Sequence, residues 1–176
     1  MRHAMEMFRK ALPSLRKPSA EDGAAIWELI QACKPLDENS MYCNLIQCDH
    51  FRDTCIVAEL NGEVVGWVSG YILPDDPETF FVWQVAVSEK ARGTGLGTLM
   101  LRGLLSRENC EGVKRLQTTI TRDNPGSWAL FRKFSDYTDG ELSSTPYFSK
   151  SQHFNDLHDT EYMVTITMKA RTKKAA

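Results

Sequence analysis

Apolar residues recur along this chain in two rhythms, one helical and one alternating, and each rhythm predicts its own elements. In SAEDGAAIWELIQACKP, Ile26, Leu29, Ile30 and Cys33 fall at helical spacing and give one buried face. Ser19 can cap that helix, Glu21 and Asp22 favour its positive end, and Pro35 lies beyond its finish. NSMYCNLIQCDHF predicts a second, shorter helix. In TCIVAELNGEVVGWVSGYIL two strand-like runs flank Asn61-Gly62, the dipeptide that a type I′ hairpin turn prefers. PDDPE then reads as a loop, and TFFVWQVAVS as a strand that is apolar on both faces and hence central. GLGTLMLRGLLSREN predicts a helix with Leu96, Leu99, Met100 and Leu104 on one side. VKRLQTTI is a strand, NPGSWALFRKF a helix, and DYTDG…PYFSKS with EYMVTITMK a closing pair of strands. With the short extended SLRKP at the start, the order defines an α+β layout around a mixed sheet.

Composition narrows the function classes. The chain has 176 residues, enough for one domain with a sizeable core, and its net charge of -2 gives no general pull toward nucleic acid or an anionic membrane. No apolar run is long enough to span a bilayer, and the basic N-terminus lacks the apolar core of a secretion signal, so the expected location is the cytoplasm. Five cysteines, at 33, 43, 48, 55 and 110, form no C-x-x-C pair and read as reduced thiols rather than as a disulfide framework or a zinc site. Residues 1–13 are expected to be a flexible segment, 14–169 a single domain, and 170–176 a basic tail.

The densest chemistry lies in EKARGTGLGTLML. Gly93, Gly95 and Gly97 stand at alternate positions between the central strand and a helix, with Arg92 in front. Backbone amides point outward there, unpaired, at the positive end of a helix dipole, so bare backbone would suit a phosphate. The spacing is neither a Walker loop nor a dinucleotide-binding fingerprint, and by itself it fits a plain helix start equally well.

In context, VAVSEKARGTGLGTLML resembles the acetyl-CoA signature of the GNAT superfamily of N-acetyltransferases, whose R/Q-x-x-G-x-G/A pattern falls on Arg92, Gly95 and Gly97. The element order matches that fold over residues 14–169. The resemblance implies a mixed, mostly antiparallel sheet flanked by helices on both faces, with acetyl-CoA as co-substrate and no metal. The diphosphate would lie on Arg92, Gly93, Thr94, Gly95, Leu96, Gly97 and Thr98, and the pantetheine arm along Val85, Ala86 and Val87. Asn124, Ser127 and Arg132 would lie toward the other end of the cofactor. Many members place a tyrosine seven residues after the motif asparagine, where it can protonate the leaving thiolate; here that position is Phe131.

Three further pieces, KPLDENSMYCNLIQCDHFRDTCIVAE, FFVWQVAV and HDTEYMVTI, resemble the diaminobutyrate acetyltransferases of ectoine biosynthesis. That resemblance implies acetyl transfer to the γ-amino group of L-2,4-diaminobutyrate, by a homodimer. A primary alkylammonium has a pKa of about 10, and only its neutral form attacks a thioester, so the site must recognise a cation and then take its proton. Asp37 is a partner for the ammonium or a cap for the helix starting near Asn39. Tyr42 can bond the substrate or pack. Trp83 can wall the pocket and face a cation, or sit in the core. His158 and Glu161 line the acceptor pocket, with Glu161 the better base, or form a surface charge pair. The other readings in view are acetylation of another small diamine, a polyamine or a lysine side chain, and a non-catalytic acetyl-CoA-binding module.

Overall fold

The computed structural model describes residues 12–169. The readings of 1–13 as a flexible segment, apart from Leu12 and Pro13, and of 170–176 as a basic tail lie outside the described residues. In chain order the elements are β1 (Ser14–Arg16), α1 (Gly23–Ala32), α2 (Met41–His50), β2 (Ile56–Leu60), β3 (Glu63–Leu73), β4 (Asp76–Val87), α3 (Leu96–Leu105), β5 (Arg115–Ile120), α4 (Pro125–Tyr137), β6 (Glu141–Phe148), α5 (Lys150–His153) and β7 (Glu161–Thr167). Seven strands form one sheet in the order β1-β2-β3-β4-β5-β7-β6. Every neighbouring pair is antiparallel except β4 and β5.

Alternation along the strands feeds two cores. Ile56, Val68, Val82, Leu116 and Val164 pack under α3 and α4, which contribute Leu96, Met100, Leu101, Leu104, Phe131 and Phe134. Val57, Trp67 and Ala86 point to the opposite face, where Ile26, Leu29, Ile30, Cys33 and Cys48 of the α1–α2 side cover them. Helices therefore flank both faces of the sheet, as a sheet that is apolar on both sides requires. Asn61 and Gly62 both have positive φ, 54° and 81°, which is the type I′ geometry expected of the β2–β3 turn.

Three local expectations change. The loop read at PDDPE is mostly strand, because Asp76 ties the β3–β4 turn down: it accepts from Thr79 Oγ1 at 2.6 Å and from Arg115 at 3.0 Å. Leu99 is 40% exposed, and Leu101 takes its place in the core, because the helix turns its buried stripe toward β3 and β4. A short helix, α5, interrupts the closing strand pair, with Ser149 accepting a hydrogen bond from the Gln152 amide at its start.

The sheet opens where function is expected. Parallel pairing of β4 with β5 runs only from Thr79↔Arg115 to Phe81↔Gln117. On its other side β4 carries a bulge: Val82 pairs with Gly70 and Gln84 with Ser69, so Trp83 is an extra residue. A bulge bends its strand and sharpens its twist. Here it coincides with the end of β4–β5 pairing, and the β5-facing edge of β4 from Val82 to Val87 is left without a strand partner.

Candidate active site

One wall of the opening is the start of α3. Gly95 is its N-cap at φ 85°, and Gly93 has φ 75°, both in the left-handed region where glycine is favoured. The first backbone amide of this stretch with a partner is Leu99, which bonds Gly95 O at 3.0 Å. Among the described residues, no carbonyl or side chain accepts from the amides of Gly93, Thr94, Gly95, Leu96, Gly97 or Thr98. Six such donors at a helix start form an anion site in the making, and the side chains around them suit one. A Cβ added to Gly95 would lie 3.9 Å from Lys133 Nζ, which puts an ammonium of α4 beside the loop. Sequence reasoning missed Lys133, which no motif in the sequence singles out.

Gly97 has a second reason to be bare. A Cβ there would meet Leu130 Cδ1 at 3.0 Å, so it lets α3 approach α4 closely. Arg92 is exposed and donates through Nε to Val87 O at 3.2 Å, while Thr94 Oγ1 donates to Ala91 O at 2.7 Å. Across the opening, Asn124 caps α4 by accepting from Ser127 N at 3.0 Å, and the Arg132 guanidinium lies 5.3 Å from the Trp128 ring. Val85, Ala86 and Val87 pair with β3 on one side and face the gap on the other. Together, a partnerless β4 edge and a cradle of free amides at its end fit coenzyme A, with its extended pantetheine amides and its diphosphate.

The other wall gathers the acceptor candidates. His158 Nε2 lies 3.6 Å from Asp37 Oδ2 and 3.8 Å from Glu161 Oε1, although Asp37 and Glu161 are 124 positions apart in the sequence. His158 Nδ1 lies 2.7 Å from Asp159 O. A carbonyl only accepts, so Nδ1 carries the proton and Nε2 faces the carboxylates. Glu161 is largely buried, and its Oε2 has no partner. Burial first, then the nearby carboxylates of Asp37 and Asp123, push its carboxyl above the ordinary range, with His158 opposing the rise. A cation is what such a cluster lacks.

Asp37 does not cap α2. Ser40 holds that place, its Oγ accepting from Cys43 N at 3.1 Å, and Asp37 is left exposed and pointed at His158. Gln84 positions the Asp37 segment: its Nε2 donates to Asp37 O at 2.7 Å, and its Oε1 accepts from Asn39 Nδ2 at 3.1 Å. Gln84 also corrects the reading of β4 as apolar on both faces. A buried amide inside an apolar run was the visible signal. Trp83 is half exposed on the bulge rather than in the core, and Tyr42, at 70% exposure, makes no hydrogen bond to the cluster among the described residues.

Three of the five thiols are poor nucleophiles. Burial pushes Cys48 and Cys55 up to about 12 and Cys110 to about 11, so none is a thiolate near neutrality. Phe131 is 2% exposed in the core under α4 and offers no proton.

A sheet splayed between two parallel strands, an amide cradle at the end of one and a cation-seeking cluster opposite are the parts of an acyl transferase that uses coenzyme A. The chain belongs to the acetyltransferase (GNAT) family, whose profile matches residues 23–136. It is 49% identical over 160 residues, covering 90% of this chain and 93% of the other, to an L-2,4-diaminobutyric acid acetyltransferase of Methylotuvimicrobium alcaliphilum. It is 46% identical to one of Vibrio cholerae, covering 93% and 95% of the two chains. Among solved structures it resembles diaminobutyrate acetyltransferase EctA of Paenibacillus lautus, in complex with L-2,4-diaminobutyric acid and coenzyme A. That match has a TM-score of 0.83 at 36% identity, over 89% of this chain and 95% of that one.

Proposed function

We infer that this protein moves the acetyl group of acetyl-CoA to the γ-amino group of L-2,4-diaminobutyrate, giving Nγ-acetyl-diaminobutyrate for ectoine synthesis. The observation that carries this reading is the Asp37–His158–Glu161 cluster, which faces the splayed sheet in a chain with relatives of that activity. At pH 7 the incoming amine is an ammonium, and freeing its lone pair costs roughly 4 kcal/mol. Asp37 and Glu161 draw the cation in. Glu161, whose carboxyl is raised toward the working pH, takes the proton directly or through a water, and His158 lies between the two carboxylates to steady both states.

The neutral amine then attacks the thioester carbonyl. A C–N bond forms, the C–S bond breaks, and the sulfur leaves with the electron pair. Of the backbone amides from Val85 to Val87, those that point away from β3 face the oxygen on which charge develops. No covalent enzyme intermediate is needed. With Phe131 in the tyrosine's place, the thiolate leaves unprotonated or takes its proton from solvent or Tyr42; a thiol's pKa near ~8.5 makes that tolerable.

Residues 14–169 act as one acetyltransferase domain, working in the cytoplasm as a homodimer, so its mass in solution should be twice that of the chain. Among the described residues no helix is long and apolar enough to cross a membrane. Phe131 is the one feature that favours a non-catalytic acetyl-CoA-binding module. Incubation with acetyl-CoA and a panel of amines, reading thiol release and the position of the acetyl group by NMR, tests the function. Release with diaminobutyrate and acetylation at the γ-nitrogen are expected; release only with other diamines, or none at all, overturns the reading.

A further inference from the structure

His158 reaches the acidic cluster from an irregular turn, Phe154 to Thr160, between α5 and β7. Side chains on such turns swing unless something holds them, and here the holding begins with the backbone. Asn155 and Asp156 have φ of 49° and 63°, a left-handed region that Asn and Asp enter more readily than other side chains, so the chain doubles back after Phe154. Asp156 N donates to Lys150 O and Leu157 N to Phe154 O, both at 2.9 Å. Lys150 N donates to Thr160 Oγ1 at 3.1 Å, which closes the base of the turn, and Lys150 Nζ pairs with Asp159 at 2.9 Å. The closed turn presents the Asp159 carbonyl to His158 Nδ1. It also lays the Phe154 ring against the imidazole, with centroids 4.6 Å apart and planes tilted by 43°.

The turn has two apolar side chains and uses them differently. Leu157 is 90% exposed, whereas Phe154 is half-buried between His158 and β6. Phe148, at the end of β6, meets Phe154 edge-on at 6.4 Å and 75°. Tyr147 and His153 brace Phe148 in turn, at 4.4 and 5.5 Å, in the edge-to-face arrangement that aromatic rings prefer. His153 is itself tied down, its Nδ1 accepting from Ser149 N at 3.0 Å. A continuous aromatic stack therefore runs from the edge strand of the sheet through Phe154 to His158. What it secures is orientation. The Asp159 carbonyl fixes one point of the imidazole by a single bond and leaves the ring free to tilt about it; a flat face laid against the ring fixes its plane. Only in that plane does the Nε2 lone pair stay between Asp37 Oδ2 at 3.6 Å and Glu161 Oε1 at 3.8 Å.

We propose that Phe154 is a positioning residue for the acetyl transfer: its ring sets the plane and the tautomer of His158. Nδ1 is thereby kept on the Asp159 carbonyl, and Nε2 on the two carboxylates between which the amine gives up its proton. Phe154 acts through His158 and not on the acceptor itself. A group that steadies a proton transfer loses much of its effect when its orientation is no longer held, so the loss appears in turnover. This rests on the acetyl-transfer reading of the site, and one of its two readouts needs no turnover, so that the two can fail separately.

The first readout is NMR of the His158 ring nitrogens, at a pH chosen so that the imidazole is neutral. The wild type should hold the tautomer protonated at Nδ1. Phe154→Leu and Phe154→Met keep apolar bulk but lose the flat face, and either should give a mixture of the two tautomers. Phe154→Tyr should restore the wild-type pattern. The second readout is a double-mutant cycle on turnover at saturating acetyl-CoA. Phe154→Leu should lower kcat roughly tenfold with acetyl-CoA affinity unchanged, and on a His158→Asn background it should lower kcat less than about twofold. A single fixed tautomer in the folded leucine or methionine variant overturns the proposal, as does an equal loss of turnover in both backgrounds. Tautomer mixing in the variants of a protein whose wild type fails to acetylate diaminobutyrate would uphold the positioning and reject the function.

Discussion

Glu161 is held by two opposing demands, and both are visible at its own atoms. One oxygen lies near His158 and the other is buried without a partner, so the carboxylate is costly to keep charged until a cation arrives. Asp37 is exposed and within reach of solvent and substrate, which suits recognition more than proton transfer. Glu161→Gln keeps the size and removes the base; turnover at saturating acetyl-CoA should fall ~10²–10⁴-fold, with acetyl-CoA affinity retained. Asp37→Asn should instead raise the acceptor's KM. Full turnover of Glu161→Gln across the pH range would move proton removal to His158 or solvent. Gly95 allows an equally local test. At φ 85°, aspartate and asparagine are the side chains most easily accommodated there, and the two differ only in charge. Gly95→Asp should abolish acetyl-CoA binding, whereas Gly95→Asn should weaken it far less. Equal loss in both would mean that the loop needs bare backbone rather than freedom from negative charge.

At the scale of elements, the legible parts are those whose signal is local. Asn61-Gly62 announces its hairpin, the spacing of Ile26, Leu29 and Ile30 its helix, and the glycines of the loop before α3 the site of bare backbone. Leu99 was misplaced because a helix with apolar residues on several sides does not say which stripe the sheet will cover. The bulge at Trp83 and the end of β4–β5 pairing are tertiary facts with no short motif behind them. Asp37, His158 and Glu161 could be named as candidates, but their meeting depends on the Gln84 bridge and the turn after α5, which pattern alone does not supply. Gln84 is therefore the positioning residue to test. Gln84→Leu leaves Asp37 O and Asn39 Nδ2 unpaired, which should cost about 1–3 kcal/mol of stability if they stay buried. Acceptor KM should rise by an order of magnitude or so, with acetyl-CoA affinity little changed. An unaltered KM in a folded variant would show that α2 alone fixes the Asp37 segment.

For the molecule as a whole, two carboxylates, one buried and one partly buried, pull the pH dependence of stability in opposite directions. Asp22, 8% exposed, takes both nitrogens of the Arg16 fork at 2.7 and 2.8 Å, and Arg16 also holds Glu59, so this one junction ties β1, β2 and the entry to α1. Those hydrogen bonds, Arg16 first, lower the Asp22 carboxyl below its ordinary value. A depressed acid binds fewer protons folded than unfolded; its contribution is present above the unfolded value, near 3.8, and is lost as pH falls through the folded one. Glu161 is raised by burial, so the folded state binds more protons, and stability falls as pH climbs from its unfolded value, near 4.5, through the folded one. The exposed carboxylates Asp53, Asp76 and Asp159 act in the sense of Asp22, but solvent screens their pairs. Thermal unfolding followed across pH should therefore show a rise at the acid end and a decline above it. Asp22→Asn should flatten the acid limb and lower stability near neutrality by about 1 kcal/mol, the low end for a charged hydrogen bond, because Arg16 is more than a third exposed. Glu161→Gln should flatten the upper limb and leave the acid limb alone. If it lowers stability across the upper limb instead, the Glu161 carboxylate is already compensated in the free protein, and the argument that the cluster awaits a cation fails with it.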